Sequence, residues 1–137
     1  MEKMIVAVAG VGVIGPAHIE ALRRIPNIEV VAVSHPVADE VAQKAADLGI
    51  PNGYADYNEM IVKEDITAVH ICTPNFLHYE MAKAALEKGI HVICEKPLAT
   101  KTPEAEELVA LAKETGLVNA VHFNLRFYPL VRQMKTM

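Results

Sequence analysis

The stretch MIVAVAGVGVIG, residues 4–15, joins a short apolar run to three glycines spaced by two and three residues. The small and β-branched residues of the run predict a strand. Apolar residues then recur at helical spacing over residues 14–25, which predicts a helix. A G-x-G-x-x-G pattern between a strand and a helix is typical of loops that bind the pyrophosphate of a dinucleotide. In the simpler alternative, the glycines only make a tight turn.

Each glycine has its own role in such a loop. Gly10 permits the tight turn, Gly12 lets the backbone approach the pyrophosphate, and Gly15 allows close helix–strand packing. A backbone amide contributes roughly 1.5 to 3 kcal/mol when it donates to a charged group, against about 0.3 to 1 kcal/mol from the helix dipole. We therefore expect the loop backbone, including Val13 and Ile14, to hold the cofactor mainly through its amides.

The rest of the chain alternates short apolar runs with stretches of helical period. This alternation predicts βαβ units and therefore an α/β fold with a doubly wound, mostly parallel sheet of the Rossmann type. The predicted strands cover residues 4–9, 28–33, 68–72, 90–94 and 117–123. Further helices are predicted at 38–48, at 77–88, and from a cap at Thr102, with Pro103 at the first helical position, to Gly116. A minor strand and a short helix are predicted within residues 51–65.

The end of the chain differs from the rest. Residues 1–124 form the predicted dinucleotide-binding domain, whereas residues 125–137 begin a helical pattern that stops at Met137. A helix of two turns is marginal by itself. We therefore expect residues 125–137 to lead into a further domain that is absent from this chain.

Composition excludes several classes of protein. The 137 residues are 52% hydrophobic with a net charge of −4, which predicts one core and no basic surface for nucleic acid or an anionic membrane. No apolar run reaches the roughly 18 residues of a membrane span, and the glycines argue against a secretory signal at residues 1–17. We expect a soluble, cytoplasmic protein in which Cys72 and Cys94 are buried thiols rather than a disulfide.

The segment after the second predicted strand departs from the NAD pattern. A carboxylate normally binds the adenosine ribose there, but this chain has Ser34-His35-Pro36. Ser34 can donate to either cofactor, and without a carboxylate nothing repels a 2′-phosphate. We therefore expect NAD or NADP, with NADP tolerated and His35 adding positive charge only when protonated. Alternatively, His35 and Pro36 only turn the chain.

Two further polar segments follow later strands, where open parallel sheets bind ligands. They are Thr73-Pro74-Asn75 and Glu95-Lys96-Pro97. The stretches CTPNFLH at 72–78, ALEKGIHVICEKPLA at 85–99 and NLRFYP at 124–129 resemble the Gfo/Idh/MocA family of glucose-fructose oxidoreductases and inositol dehydrogenases.

That resemblance implies an NAD(P)-dependent oxidoreductase that moves a hydride between nicotinamide and a secondary hydroxyl of a sugar, cyclitol or related polyol. It implies that Thr73, Pro74 and Asn75 border the ribose and nicotinamide, that Glu95 contacts the cofactor, and that Lys96 is the catalytic lysine, followed by a cis proline. It also implies a second α+β domain that supplies the substrate pocket and the interface of a homo-oligomer. A stand-alone dinucleotide-binding or sensing module without catalysis is the alternative.

The chemistry of lysine indicates which role Lys96 has. A charged lysine can donate a hydrogen bond to a carbonyl oxygen at once, whereas a lysine general base near neutral pH must first lose its charge at a cost of roughly 4 kcal/mol. We expect the donor role; the alternative is a surface lysine before a proline turn.

The remaining polar candidates are single residues. His78 is expected to be a helix cap or a residue near the cofactor, and Arg126 to reach the substrate or nicotinamide edge or to pair with an absent partner. The other histidines are scattered along the sequence, so we expect packing residues and no metal site; they are His18, His70, His91 and His122.

Overall fold

Parallel strands and intervening helices alternate along the chain. The structure, a computed structural model, describes residues 3–137. The strands are β1 (Met4–Ala9), β2 (Ile28–Ser34), β3 (Asn52–Tyr54), β4 (Ala68–Ile71), β5 (His91–Glu95) and β6 (Asn119–His122). The helices are α1 (Gly15–Leu22), α2 (Ala38–Asp47), α3 (Tyr57–Lys63), α4 (His78–Glu87), α5 (Thr102–Thr115) and α6 (Pro129–Thr136), with 3₁₀ turns at Asn75–Leu77 and Asn124–Phe127.

The predicted order of strands and helices is confirmed, and the ends of the predicted strands lie within two residues of those observed. The cap predicted for α5 is wrong. Thr102 is the first residue of the helix, Pro103 follows it, and Lys101 occupies the cap position without a side-chain hydrogen bond. Gly116 ends α5, as predicted, and adopts the left-handed conformation.

Strand β1 lies inside the sheet and is buried on both faces. Its residues Val6 and Val8 pack into a cluster with Ile19 of α1. Ala7 and Ala9 point to the opposite face and pack in the second core cluster. Burial on both faces is typical of central parallel strands, and it explains why this strand is apolar throughout rather than alternating.

The order of strands across the sheet is β3-β2-β1-β4-β5-β6. β1 pairs in parallel with β2 on one side and with β4 on the other, so the chain runs outward to β3 and then crosses back. Ligands of such sheets bind at the carboxyl ends of the strands near this reversal of strand order. Within residues 3–137, no helix is both long enough and apolar enough to cross a membrane.

Candidate functional site

The glycine loop is shaped by two close backbone approaches. Gly10 has a φ of +88°, and a Cβ built on it would lie 2.7 Å from the carbonyl carbon and oxygen of Cys72. A Cβ on Gly15 would collide with the carbonyl oxygen of Gly10. A Cβ on Gly12, in contrast, would meet no atom within 4 Å. Gly10 and Gly15 therefore close the turn, while Gly12 leaves open space above the loop.

Backbone amides of this loop are available to a ligand. The amide of Gly10 donates to the carbonyl of Ser34 at 2.9 Å and ties the loop to the end of β2. Among the described residues, the amides of Val11, Gly12 and Val13 have no backbone acceptor. These free donors precede the first turn of α1, so the loop can bind an anionic group. The side chain of Val13 is 99% exposed and makes no packing contribution.

A cavity of about 470 Å³ runs from this loop across the ends of β2 and β4. Its lining includes Gly10, Gly12, Ser34, His35, Pro36, Thr73 and Pro74. The structure therefore brings together three segments that the sequence placed after separate strands. Apolar walls come from Tyr57, Phe76, Leu77 and Met81.

A second cavity of about 260 Å³ lies beside the first and shares Thr73 with it. It is lined by Ile14, Thr73, Asn75, Glu95, Lys96 and Asn124. The peptide bond between Lys96 and Pro97 is cis, as the resemblance implied. Arg126 lines neither cavity, and its guanidinium carbon lies 5.6 Å from the ring centre of Phe127.

The end of β2 carries a charge arrangement that the sequence did not predict. His35 accepts a hydrogen bond from the amide of Val37 through Nδ1, at 3.3 Å. Its Nε2 lies 3.8 Å from a carboxylate oxygen of Glu40, whose side chain is largely exposed. A carboxylate is thus present beside the His35 side of the first cavity, although it comes from α2 rather than from the end of the strand.

His78 is buried and connects the two polar loops. Its Nδ1 lies 2.7 Å from the carbonyl oxygen of Pro97, and its Nε2 lies 2.9 Å from that of Thr73. Whichever nitrogen carries hydrogen donates to one of these carbonyls. This position supports the structural role expected for His78 over direct contact with a cofactor.

Three histidines that are scattered along the sequence and predicted to be separate packing residues form one cluster, in which two of them contact the carboxylate of Glu95. His18 Nε2 lies 3.0 Å from Glu95 Oε1, and His122 Nδ1 lies 2.6 Å from the same oxygen. His70 Nδ1 lies 2.9 Å from His18 Nδ1. His91 stays apart from them and accepts a hydrogen bond from the amide of Val118.

The hydrogen positions in this cluster follow from the acceptors. A carboxylate only accepts, so His18 donates from Nε2 to Glu95, and His70 then donates from Nδ1 to His18 Nδ1. Burial lowers the pKa of His70 to about 4, and it lowers the pKa of His18 more than the hydrogen bond to Glu95 raises it. Burial raises the pKa of Glu95, but hydrogen bonds from His122 and His18 outweigh it and leave this pKa below its ordinary value.

The sequence could have indicated part of this cluster. Glu95 and His122 are register partners on the neighbouring strands β5 and β6, and both lie at carboxyl ends. Pairing the predicted strands end to end would have placed them side by side. His18 and His70 could not be added that way, because their approach depends on how α1 packs over β4.

The fold and the cleft define a dinucleotide-binding domain of the Rossmann class. The chain belongs to the oxidoreductase family with an NAD-binding Rossmann fold, Gfo/Idh/MocA, whose family model matches residues 4–123. This membership confirms the resemblance stated from the sequence.

Individual relatives agree with the family assignment. The chain is 36% identical over 143 residues to levoglucosan dehydrogenase of Pseudarthrobacter phenanthrenivorans, covering 98% of this chain and 37% of the relative. It is 32% identical over 129 residues to scyllo-inositol 2-dehydrogenase (NADP(+)) IolU of Bacillus subtilis, covering 94% and 39%. The crystal structure of myo-inositol 2-dehydrogenase from Lactobacillus plantarum superposes with a TM-score of 0.89 at 28% identity, covering 98% and 40%. The chain thus spans about two-fifths of the length of these proteins.

Proposed function

We propose that this chain is the NAD(P)-binding domain of an oxidoreductase that transfers a hydride between nicotinamide and a secondary hydroxyl of a sugar, cyclitol or related polyol. The observation that carries the proposal is the continuity of the cleft. Thr73 lines both cavities, so a groove leads from the glycine loop to Lys96. The names of the relatives, levoglucosan dehydrogenase and scyllo-inositol 2-dehydrogenase, favour a substrate of this class.

The residues of the cleft fit a dinucleotide. Gly12 leaves open space where a pyrophosphate would approach, and the free amides of Val11 and Val13 supply donors to its oxygens. Ser34 is buried at the end of β2 and lines the first cavity, where its hydroxyl donates to the adenosine ribose. Asn75 and Glu95 line the part of the groove assigned to the nicotinamide.

In the proposed reaction, the bound nicotinamide accepts or supplies the hydride. Lys96 donates a hydrogen bond to the substrate oxygen and stabilises the negative charge that develops on it. Its backbone amide lies 3.3 Å from Glu95 Oε2, which helps to fix the start of the Lys96-Pro97 turn. The substrate pocket, the remaining acid or base group and the interface of a homo-oligomer are assigned to a further domain.

A substitution at Lys96 tests the catalytic assignment in an enzyme that carries this domain together with a substrate domain. Lys96→Gln should lower kcat by roughly 100-fold to 1000-fold, the range for loss of one donor to a developing oxyanion. The Kd for NADH, measured by fluorescence titration, should change by less than about threefold. Lys101→Gln is the matched control, because Lys101 pairs with Glu104 on the surface. Turnover retained by Lys96→Gln would refute the role of Lys96.

The proposal includes acceptance of NADP as well as NAD. Its support is the lack of a carboxylate at the end of β2, where Ser34 and His35 line the cavity. Glu40 opposes a 2′-phosphate, since it lies 3.8 Å from His35. Calorimetric titration of the chain with NADH and with NADPH compares the two Kd values. Glu40→Gln should strengthen NADPH binding more than NADH binding. A clear preference for NADH that Glu40→Gln leaves unchanged would contradict this part of the proposal.

We also assign residues 1–124 to the dinucleotide-binding domain and residues 125–137 to the start of the next domain. The support is a set of exposed apolar side chains at this end of the chain, which suits a surface that a partner domain covers. They are Leu125, Phe127, Tyr128, Leu130 and Met134. A cytoplasmic location is part of the proposal, because Cys72 and Cys94 are free thiols, as is usual in a reducing compartment.

A further inference from the structure

The two oxygens of Glu95 have different surroundings. Oε2 accepts from the backbone amide of Lys96. Oε1 points to His18 and His122, which do not line the cavity that contains Lys96. The proposed reaction therefore leaves the histidine side of this carboxylate without a function.

We propose that His18 Nε2, His122 Nδ1 and Glu95 Oε1 bind one divalent transition-metal ion, with Zn²⁺ as the best match. These ligand atoms all lie within 4.8 Å of one another. Two imidazole nitrogens and one carboxylate oxygen are a known donor set for zinc, with water as the fourth ligand. Mg²⁺ and Ca²⁺ are disfavoured because they require mostly oxygen ligands.

The three ligands need only small movements to surround an ion. Zinc binds nitrogen and carboxylate oxygen at about 2.0 to 2.2 Å, so ligand atoms around a tetrahedral ion lie roughly 3.3 Å apart. The observed separations from Glu95 Oε1 are 3.0 Å to His18 and 2.6 Å to His122. The two nitrogens lie within 4.8 Å of each other, so shifts of no more than about 1.5 Å would bring all three ligand atoms to this spacing. The ring hydrogens that His18 and His122 now donate to Glu95 would move to the other nitrogen of each ring.

His70 supplies the outer partner that a metal-binding histidine needs. When His18 Nε2 binds the ion, the ring hydrogen moves to Nδ1, which lies 2.9 Å from His70 Nδ1. A nitrogen of His70 without hydrogen accepts it and fixes the orientation of the His18 ring. Metal-binding histidines almost always donate their second ring nitrogen in this way.

The site is partly enclosed but accessible. The side chains of His18 and Glu95 are 4% and 12% exposed, whereas that of His122 is 36% exposed. A cavity of about 220 Å³ borders the cluster and is lined by His18, His70, His122 and Asn124, with an apolar wall from α1. An ion can therefore enter from the His122 side and keep a water ligand there.

Metal titration of this chain tests the proposal directly. The chain, prepared without a histidine tag and freed of metal with EDTA, is titrated with ZnCl₂ in a calorimeter and with CoCl₂ in a spectrophotometer. We expect one ion per chain and a visible Co²⁺ spectrum of a four-coordinate complex. His122→Ala should weaken Zn²⁺ binding at least about 10-fold, since loss of an outer partner alone costs 10-fold to 100-fold. His70→Ala should weaken it by about 10-fold.

A second histidine serves as the control. His91 contacts Val118 and lies outside the cluster. The Kd of His91→Gln for Zn²⁺ should therefore stay within about twofold of that of the original chain. Circular dichroism checks that each variant folds. Equal affinities for the original chain, His122→Ala and His91→Gln would overturn the proposal, as would the absence of stoichiometric binding. NADH titration of His122→Ala separates the two proposals, because this variant should keep its cofactor affinity even if the metal site is wrong.

Discussion

Alanine substitutions at Gly10 and Gly12 should separate the two roles of the glycine loop. At Gly10, the φ of +88° disfavours alanine by about 1 to 2 kcal/mol. The added Cβ would also lie 2.7 Å from the Cys72 carbonyl and 2.9 Å from the amide nitrogen of Thr73. Such overpacking against backbone costs about 1 to 3 kcal/mol. Gly10→Ala should therefore lower the free energy of unfolding by about 2 to 5 kcal/mol.

Gly12→Ala is the matched substitution, since its Cβ meets nothing within 4 Å. Its unfolding free energy should stay within about 0.5 kcal/mol of the original value, but its methyl group would occupy the space assigned to the pyrophosphate and weaken NADH binding. Thermal unfolding by circular dichroism and NADH fluorescence titration measure the two effects. At roughly 4 °C per kcal/mol for a chain of this size, Gly10→Ala should lower Tm by about 8 to 20 °C. A Gly10→Ala variant as stable as the original, or a Gly12→Ala variant with unchanged NADH affinity, would refute the reasoning.

Two further predictions concern buried groups. His78→Ala leaves the carbonyls of Thr73 and Pro97 without their ring partner and opens a cavity. The free energy of unfolding, measured with urea, should therefore fall by about 2 to 4 kcal/mol. A fall no larger than that caused by the control substitution His91→Ala would contradict this structural role of His78. Burial raises the pKa of both Cys72 and Cys94 from 9.0 to about 12. At pH 8 the fraction of reactive thiolate should then be roughly a thousandfold smaller than for an ordinary thiol. Ellman's reagent should therefore react quickly only after urea is added. Rapid labelling of the folded chain would contradict this prediction.

The sequence predicted those features that depend on local pattern and chain topology. The run before Gly10 is apolar throughout because β1 is covered on both faces, and the sequence itself shows that pattern. The loops carrying Thr73 and Lys96 were expected at one edge because parallel strands all end on the same side. Their shared cavity agrees with that expectation.

Features that depend on packing across the sheet were not predictable in the same way. The contact between His18 and Glu95 depends on how α1 is oriented about its axis where it packs on the sheet. The spacing of residues in the sequence does not determine that orientation. The carboxylate of Glu40 reaches His35 from α2, so the residues that follow β2 in the sequence do not reveal it. Threonine is a preferred capping residue, so the sequence predicts the cap at Thr102, but Lys101, a poor capping residue, occupies the cap position and Thr102 begins the helix.

The central place of β1 affects how the chain can fold during synthesis. β1 leaves the ribosome before the other strands of this sheet, yet one of its two neighbours, β4, begins at Ala68. The half-sheet of β1, β2 and β3 can form early, but its other edge stays open until β4 emerges. Contacts over such long sequence separations slow folding, and the open apolar edge is prone to pair with other chains in the interval. The same strand that carries the glycine loop therefore determines when the nascent chain is most vulnerable to aggregation.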